Sequence, residues 1–153
     1  MSYNSQLKIT NPQTAMSAGS CFLIDDDEDD REIFAMALKK AHAGFVCAMA
    51  KNGKEAIAHV TEGDFIPGYI FVDLNMPLVS GRECVAAFKK VERFADVPII
   101  VYTTSSFEKD VEDLKNLGAT HYLVKPTSFT TLVTLLEKIF SEKDLPFFIY
   151  EKN

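Results

Sequence analysis

The sequence predicts an α/β fold in which helices cover both faces of a parallel sheet. Five short apolar runs alternate along the chain with five segments in which apolar residues recur at helical spacing. The apolar runs are nearly continuous instead of alternating with polar residues, as is typical of strands buried on both faces. An unbroken alternation of strands and helices favours parallel pairing, because each helix then serves as the crossover between two strands.

The apolar runs define the strands. The first, Cys21–Ile24, stops at a cluster of acidic residues, and the third, Tyr69–Val72, contains only residues with high strand propensity. Right-handed crossovers are expected between successive strands. The five predicted strands are Cys21–Ile24, Phe45–Ala50, Tyr69–Val72, Val97–Tyr102 and Ala119–Val124.

The first two helices are predicted from the spacing of apolar residues. Acidic residues at 27–30 favour a helix N-terminus, because negative charge interacts well with the positive end of the helix dipole. Asp27, Asp29 and Asp30 are therefore interpreted as charges that stabilise the start of this helix. The apolar residues of segment 53–60 predict a shorter second helix.

Capping residues mark the remaining helices. Ser80 and Ser105 each begin an S-x-x-E pattern, so we expect capping boxes at the start of the third and fourth helices. Gly118 is expected to end the fourth helix, because glycine readily adopts the left-handed conformation found at helix C-termini. Thr127 or Ser128 is expected to cap the fifth helix.

The charge of the chain excludes several classes of partner. Its 153 residues suit one domain, and 22 acids against 16 bases leave a formal net charge of −6. Such an acidic chain lacks the basic surface that binds nucleic acid or an anionic membrane. Segment 25–32 holds seven acids and one base, so the excess negative charge is concentrated directly after the first strand.

Two further features predict a cytoplasmic protein. The apolar runs are too short to span a bilayer, and residues 1–20 are polar and lack the apolar core of a signal peptide. We expect residues 1–20 to form a flexible leader. Cys21, Cys47 and Cys84 have no metal-binding spacing and are interpreted as reduced thiols, which suits the cytoplasm.

The residues at the carboxyl ends of the predicted strands indicate a functional site, because ligands of an open α/β sheet bind beyond these ends. Packed carboxylates repel one another, and Mg²⁺, which prefers oxygen ligands, would neutralise them. A cation, a hydroxyl group and a lysine together suit the stabilisation of a transferring phosphoryl group. The polar residues at these ends are Asp25, Asp26, Asp73, Thr103 and Lys125.

These residues lie in motifs that resemble the CheY-like receiver domains of bacterial two-component response regulators. The resemblance covers about residues 20–141, with each motif at the end of a strand, and places a receiver domain at residues 21–141. It implies a flavodoxin-like (βα)5 three-layer sandwich with a five-stranded parallel sheet of order 2-1-3-4-5. The motifs are Ile24-Asp25-Asp26-Asp27, Val72-Asp73-Leu74-Asn75-Met76-Pro77, Ser80-Gly81, Tyr102-Thr103-Thr104 and Tyr122-Leu123-Val124-Lys125-Pro126.

The resemblance implies a phosphoacceptor and a metal site. Asp73 corresponds to the aspartate that accepts a phosphoryl group from a phosphohistidine. Asp26 would be the main carboxylate ligand of Mg²⁺ or Mn²⁺, with Asp25 contributing directly or through water. Asp73 and the backbone carbonyl of Asn75 would complete the protein's ligands. The protein would be a signalling phosphoacceptor that catalyses only its own phosphorylation and dephosphorylation, and not an enzyme.

The resemblance also implies how a signal leaves the site. Lys125 would pair with the phosphoryl oxygens, and the Thr103 hydroxyl would bind the phosphoryl group. Tyr122 would change rotamer as Thr103 moves, which would alter the face formed by the fourth helix, fifth strand and fifth helix. An ordinary core position is the alternative for Tyr122. The Lys125–Pro126 peptide is expected to be cis, as in the family.

The expected partners follow from the same resemblance. They are a histidine kinase or histidine phosphotransfer domain upstream and a protein target downstream, with the chain itself a monomer or weak homodimer. Because only residues 142–153 follow the last predicted helix, no output domain is expected. This tail is apolar around Phe147 and Phe148, so it either packs back onto the domain or forms a dimer or partner contact.

Other functions suit these residues less well. A pseudo-receiver that acts only through protein contacts would usually lack one of Asp73, Thr103 and Lys125. A flavin-binding protein would need a phosphate-binding loop after the first strand, where this chain has carboxylates that repel phosphate. A phosphatase with an aspartyl nucleophile would need a second acid where Asn75 lies.

Overall fold

A computed structural model describes residues 19–150, and its sheet is parallel with strand order β2-β1-β3-β4-β5-β6. The predicted order of the first five strands is confirmed, and the tail adds a sixth. Residues 1–18, which hold most of the expected leader, lie outside the described residues, as do residues 151–153. The strands are β1 Ser20–Ile24, β2 Val46–Ala50, β3 Tyr69–Val72, β4 Ile99–Thr103, β5 His121–Val124 and β6 Phe148–Ile149.

Within residues 19–150, five α-helices connect these strands, with a short 3-10 turn at Glu92–Phe94 before β4. None of the helices in this part of the chain is both long enough and apolar enough to cross a bilayer. The helices are α1 Glu28–Ala41, α2 Gly53–Glu62, α3 Gly81–Lys89, α4 Glu108–Leu117 and α5 Phe129–Ser141.

Two hydrophobic cores lie on opposite faces of the sheet. Successive strand residues point to opposite faces, so Phe22 belongs to one core and Leu23 to the other. Helices α2, α3 and α4 cover the first core, to which α3 contributes the buried Phe88. Helices α1 and α5 cover the second, through residues such as Phe34 and Leu136. Burial on both faces explains why the strands appear in the sequence as continuous apolar runs.

Most of the predicted helix ends are confirmed. Ser80 and Glu83 form a capping box at the start of α3, and the Ser128 side chain caps α5 by accepting from the Thr131 N–H. Gly118 ends α4 with φ 103°, a left-handed conformation that glycine adopts without steric cost.

The capping box predicted at Ser105 is wrong. Helix α4 begins at Glu108 with Phe107 at its N-cap, so Ser105 lies two residues before the cap. The Ser105 hydroxyl instead donates to Asp110 Oδ2 at 2.6 Å. Ser105 Oγ also accepts from the Phe107 N–H at 3.4 Å, so its backbone bond lies just before α4 and is not the predicted cap.

Two strands begin two residues later than predicted. The Val97 N–H donates to the Phe94 carbonyl, so Val97 belongs to the turn that follows the 3-10 segment Glu92–Phe94, which sequence analysis missed. The Ala119 N–H donates to Leu114, so Ala119 belongs to the turn that ends α4. Apolar composition predicted both strands but did not distinguish strand from adjoining turn.

The apolar tail packs back onto the domain as strand β6. The Tyr122 N–H donates to the Phe147 carbonyl at 2.8 Å, and the Tyr122 and Phe148 rings stack with centroids 5.9 Å apart. Ile149 is only 3% exposed and belongs to the core under α1 and α5. Of the two possibilities that the sequence left open for the tail, the structure supports packing onto the domain.

Ile149→Ala is expected to lower the free energy of unfolding by about 2 kcal/mol, because it leaves a cavity in the core beside β5. Tyr150→Ala removes a side chain that is 57% exposed and should cost less than about 0.5 kcal/mol. Urea denaturation of both variants measures the difference. Equal, small losses would show that β6 contributes little to the fold.

Candidate functional site

The polar residues that the sequence predicted to converge lie together at the carboxyl edge of the sheet. The backbone N–H groups of Asp25, Asp73 and Lys125 donate to the last residues of β2, β1 and β4 at 3.1, 2.9 and 2.7 Å. The pairing of each strand thus continues one residue beyond the strand itself and fixes the backbone from which these side chains extend. Thr103 ends β4 and is fully buried.

Three carboxylates form the acidic part of the site. Asp25 is 0% exposed and Asp73 is 7% exposed, whereas Asp26 lies at the surface. One oxygen from each of the three lies within 4.8 Å of the others. Burial raises the pKa of Asp25 to about 6, against the opposing effect of Lys125, and burial also raises the pKa of Asp73. The ionised site therefore favours an added cation.

Lys125 is the cationic centre of the site. Its Nζ lies 2.8 Å from Asp25 Oδ2, 2.7 Å from Asp30 Oδ2 and 3.5 Å from Asp73 Oδ2. It also lies 5.2 Å from the centroid of the Tyr102 ring. Burial alone would lower the pKa of Lys125, but the hydrogen bonds to Asp25 and Asp30 raise it above its usual range. Lys125 therefore stays charged and links the acids to β5.

Asp30 is the site residue that sequence analysis missed, because it was interpreted as a charge at the helix start. Its N–H does donate to the N-cap Asp27 at 3.0 Å, as that interpretation requires. Its carboxylate, however, reaches Lys125, which is 95 residues away in the chain. Asp30 lies one helical turn after Asp26, which could have indicated that it is near the site. This spacing does not indicate that its partner is Lys125.

Gly81 allows α3 to approach the backbone of Asp73. A Cβ atom at this position would lie 2.3 Å from the Asp73 carbonyl oxygen, which is too close for any side chain. The Gly81 N–H donates to the carbonyl of Leu74 at 2.9 Å. The Ser80-Gly81 pair therefore both caps α3 and lets its first residue pack against the segment that carries Asp73.

Thr103 and Tyr122 are connected through the loop that follows β4. The Thr103 hydroxyl and the Asn75 backbone N–H both oppose the rise in the Asp73 pKa that burial causes. The Ser105 N–H lies 3.5 Å from Thr103 Oγ1, and the Tyr122 hydroxyl donates to the Ser105 carbonyl at 2.8 Å. Ser105 thus contacts both residues and joins the site to β5.

The expectation of a cis Lys125–Pro126 peptide is wrong, since residues 19–150 contain no cis peptide bond. The trans isomer is the ordinary preference of X–Pro bonds, by about 0.5–1 kcal/mol. Lys125 reaches the acids with this isomer.

The fold and the site together define a class of protein in which a parallel sheet presents an acidic triad (Asp25, Asp26 and Asp73), a hydroxyl and a lysine at its carboxyl edge. Comparison with known families agrees with this class: residues 21–137 match the response regulator receiver domain. The chain belongs to this family, whose members act in two-component signalling. The resemblance predicted from the sequence motifs is therefore confirmed.

Individual relatives support the same assignment. The phosphate regulon transcriptional regulatory protein PhoB of Pseudomonas aeruginosa is 32% identical over 124 residues. That alignment covers 81% of this chain and 52% of PhoB, so the chain spans about half the length of that relative.

Two solved structures are also similar. The phosphorylated cyanobacterial phytochrome response regulator RcpA is 26% identical with a TM-score of 0.72, covering 78% of this chain and 89% of RcpA. The Mn²⁺-bound response regulator Rcp1 is 26% identical with a TM-score of 0.71, covering 83% of this chain and 98% of Rcp1.

Proposed function

We propose that this receiver accepts a phosphoryl group on Asp73 from a phosphohistidine. The observation that carries the proposal is the position of the Asp73 carboxylate, which lies beside Asp25 and Asp26 and 3.5 Å from the Lys125 ammonium. Attack by an Asp73 oxygen would form a P–O bond while the P–N bond to the donor imidazole breaks. The released imidazole nitrogen would then take a proton from solvent.

The residues of the acidic triad suit a divalent cation. Two buried carboxylates and one exposed carboxylate offer the oxygen ligands that Mg²⁺ and Mn²⁺ prefer, and the exposed Asp26 leaves one side open to water. Asp25, Asp26, Asp73 and the backbone carbonyl of Asn75 would hold the ion. When bound, it neutralises the negative charge of the carboxylates and of the phosphoryl oxygens.

The remaining residues would bind the phosphoryl group and transmit its presence to β5. Lys125 would pair with its oxygens, and the buried Thr103 hydroxyl would donate to it. A shift of Thr103 would disturb Ser105 and so the hydrogen bond from Tyr122. Tyr122 is fully buried in this conformation, and its hydroxyl donates to the Ser105 carbonyl. Because Tyr122 belongs to β5, a change of its rotamer would transmit a change at the site to this strand.

We propose that the signalling surface consists of α4, β5 and α5, and that β6 forms part of it. Because β6 pairs with β5, the edge of β5 is covered by the tail. The Phe148 ring that stacks on Tyr122 would transmit a change in Tyr122 to the outside of this surface. We propose that a downstream protein binds here and that a histidine kinase or phosphotransfer domain supplies the phosphoryl group.

We further propose that residues 21–141 form the receiver unit and that its only catalysis is its own phosphorylation and dephosphorylation. The free thiols of Cys21, Cys47 and Cys84 support a cytoplasmic location, where thiols stay reduced.

Incubation with Mg²⁺ and acetyl phosphate is expected to add the mass of one phosphoryl group to the wild-type chain. Asp73→Asn should abolish the addition, because an amide is not a nucleophile for this transfer. Asp29→Asn removes an exposed acid from the first turn of α1 and should leave the addition intact. Intact-mass spectrometry measures all three. No addition to the wild type, or equal addition to Asp73→Asn, would contradict the proposed acceptor.

A further inference from the structure

The shortest ion pair of Lys125 is made with a residue outside the acidic triad. Asp30 Oδ2 lies 2.7 Å from Nζ, whereas the proposed acceptor Asp73 lies 3.5 Å away. An ammonium group has three N–H donors, and the three carboxylates around Lys125 match that number. The contacts to Asp30 and Asp25 are the two shortest, and the contact to Asp73 is the longest of the three.

The position of Asp30 is fixed by helix α1. Its N–H donates to the N-cap Asp27, and four residues later Phe34 is fully buried in the core under this helix. The Asp30 side chain is 36% exposed, while that of Lys125 is 10% exposed. Asp30 is therefore a partly exposed partner of Lys125, whereas its other close partner, Asp25, is buried.

We propose that Asp30 is a positioning residue that competes with Asp73 for Lys125 and so disfavours the phosphorylated state. This inference rests on the proposed function. A phosphoryl group on Asp73 adds negative charge that must draw Lys125 towards it, at the expense of the contact with Asp30. Since Asp30 interacts with Lys125 more strongly in the unphosphorylated state, it shifts the equilibrium towards that state.

Asp30→Asn is expected to bind the phosphoryl mimic beryllofluoride about two- to fivefold more tightly than the wild type in saturating Mg²⁺, the range for a partly exposed ion pair. Asp29→Asn makes the same charge change in the same turn and should leave the affinity unchanged. Asp30→Glu keeps the negative charge within reach of Lys125 and should bind beryllofluoride with the affinity of the wild type. Titration calorimetry with beryllium and fluoride measures all four proteins.

A second measurement examines the contact without any phosphoryl mimic. In the metal-free protein, Asp30→Asn should accelerate solvent exchange of the Lys125 ammonium protons in ¹⁵N NMR spectra, whereas Asp29→Asn should not. Unchanged exchange, or unchanged or weaker beryllofluoride binding by Asp30→Asn, would overturn the competition. A wild type that binds no beryllofluoride would instead contradict the proposed function. It would therefore also contradict the proposed competition between Asp30 and Asp73 for Lys125.

Discussion

Lys125→Met is expected to lower the free energy of unfolding by about 3–5 kcal/mol at pH 7.5 in metal-free buffer, the usual cost of removing one partner from a buried ion pair. Methionine keeps an apolar stem of similar length but removes the ammonium. Asp25, which is 0% exposed, then loses its 2.8 Å partner, and Asp73 loses its nearest cation. The loss therefore reflects unpaired buried charge more than lost packing.

The pH dependence of this loss separates charge from packing. Lys125 opposes the rise in the pKa of Asp25 and of Asp73, so its removal raises both values further. An acid whose folded pKa lies above its unfolded pKa destabilises the fold fully at pH values above the folded pKa. This penalty decreases as the pH falls from the folded pKa to the unfolded pKa. The cost of Lys125→Met should therefore be smaller at pH 5 than at pH 7.5.

Urea denaturation in EDTA at the two pH values measures this difference. Lys109→Met is the matched control, because Lys109 is 84% exposed and pairs with Asp113 at the surface of α4. Its effect should stay below about 1 kcal/mol at either pH. A loss of equal size at pH 5 and pH 7.5 for Lys125→Met would contradict its assignment to the unpaired charges of Asp25 and Asp73.

The metal-free wild type is expected to be about 1 kcal/mol more stable at pH 5 than at pH 7.5, the contribution of Asp25 alone. Burial raises the pKa of Asp25 from 3.8 to about 6, so the folded protein binds a proton between these values that the unfolded chain does not. Stability should therefore rise as the pH falls through 6. The raised pKa of Asp73 acts in the same direction.

Thermal or urea denaturation in EDTA across this pH range checks the sign. Asp25→Asn removes the titrating group and should lose most of the gain. Mg²⁺ at pH 7.5 should stabilise the wild type by about 2.7 kcal/mol at a concentration one hundred times its dissociation constant. A wild type that becomes less stable as the pH falls from 7.5 to 5 would contradict a buried Asp25 carboxyl with a raised pKa.

Much of the site could be predicted from the chain alone. Apolar runs that end at Asp25, Asp73 and Lys125 are enough to place these residues at one edge, because parallel strands all end on the same side of a sheet. The capping of α3 at Ser80 was predicted for an equally local reason, since it depends on residue type and spacing within one element. The order of the five strands was predicted from the resemblance to receiver domains.

Tertiary structure alone decided the features that join distant segments. The contact of Asp30 with Lys125 depends on how α1 is rotated about its axis and packed against the sheet, which an acidic first turn does not specify. The tail pairs with β5 because an open strand edge and an apolar core are available there. Local patterns thus determined which residues meet at the sheet edge, while packing between elements decided which partners their side chains take.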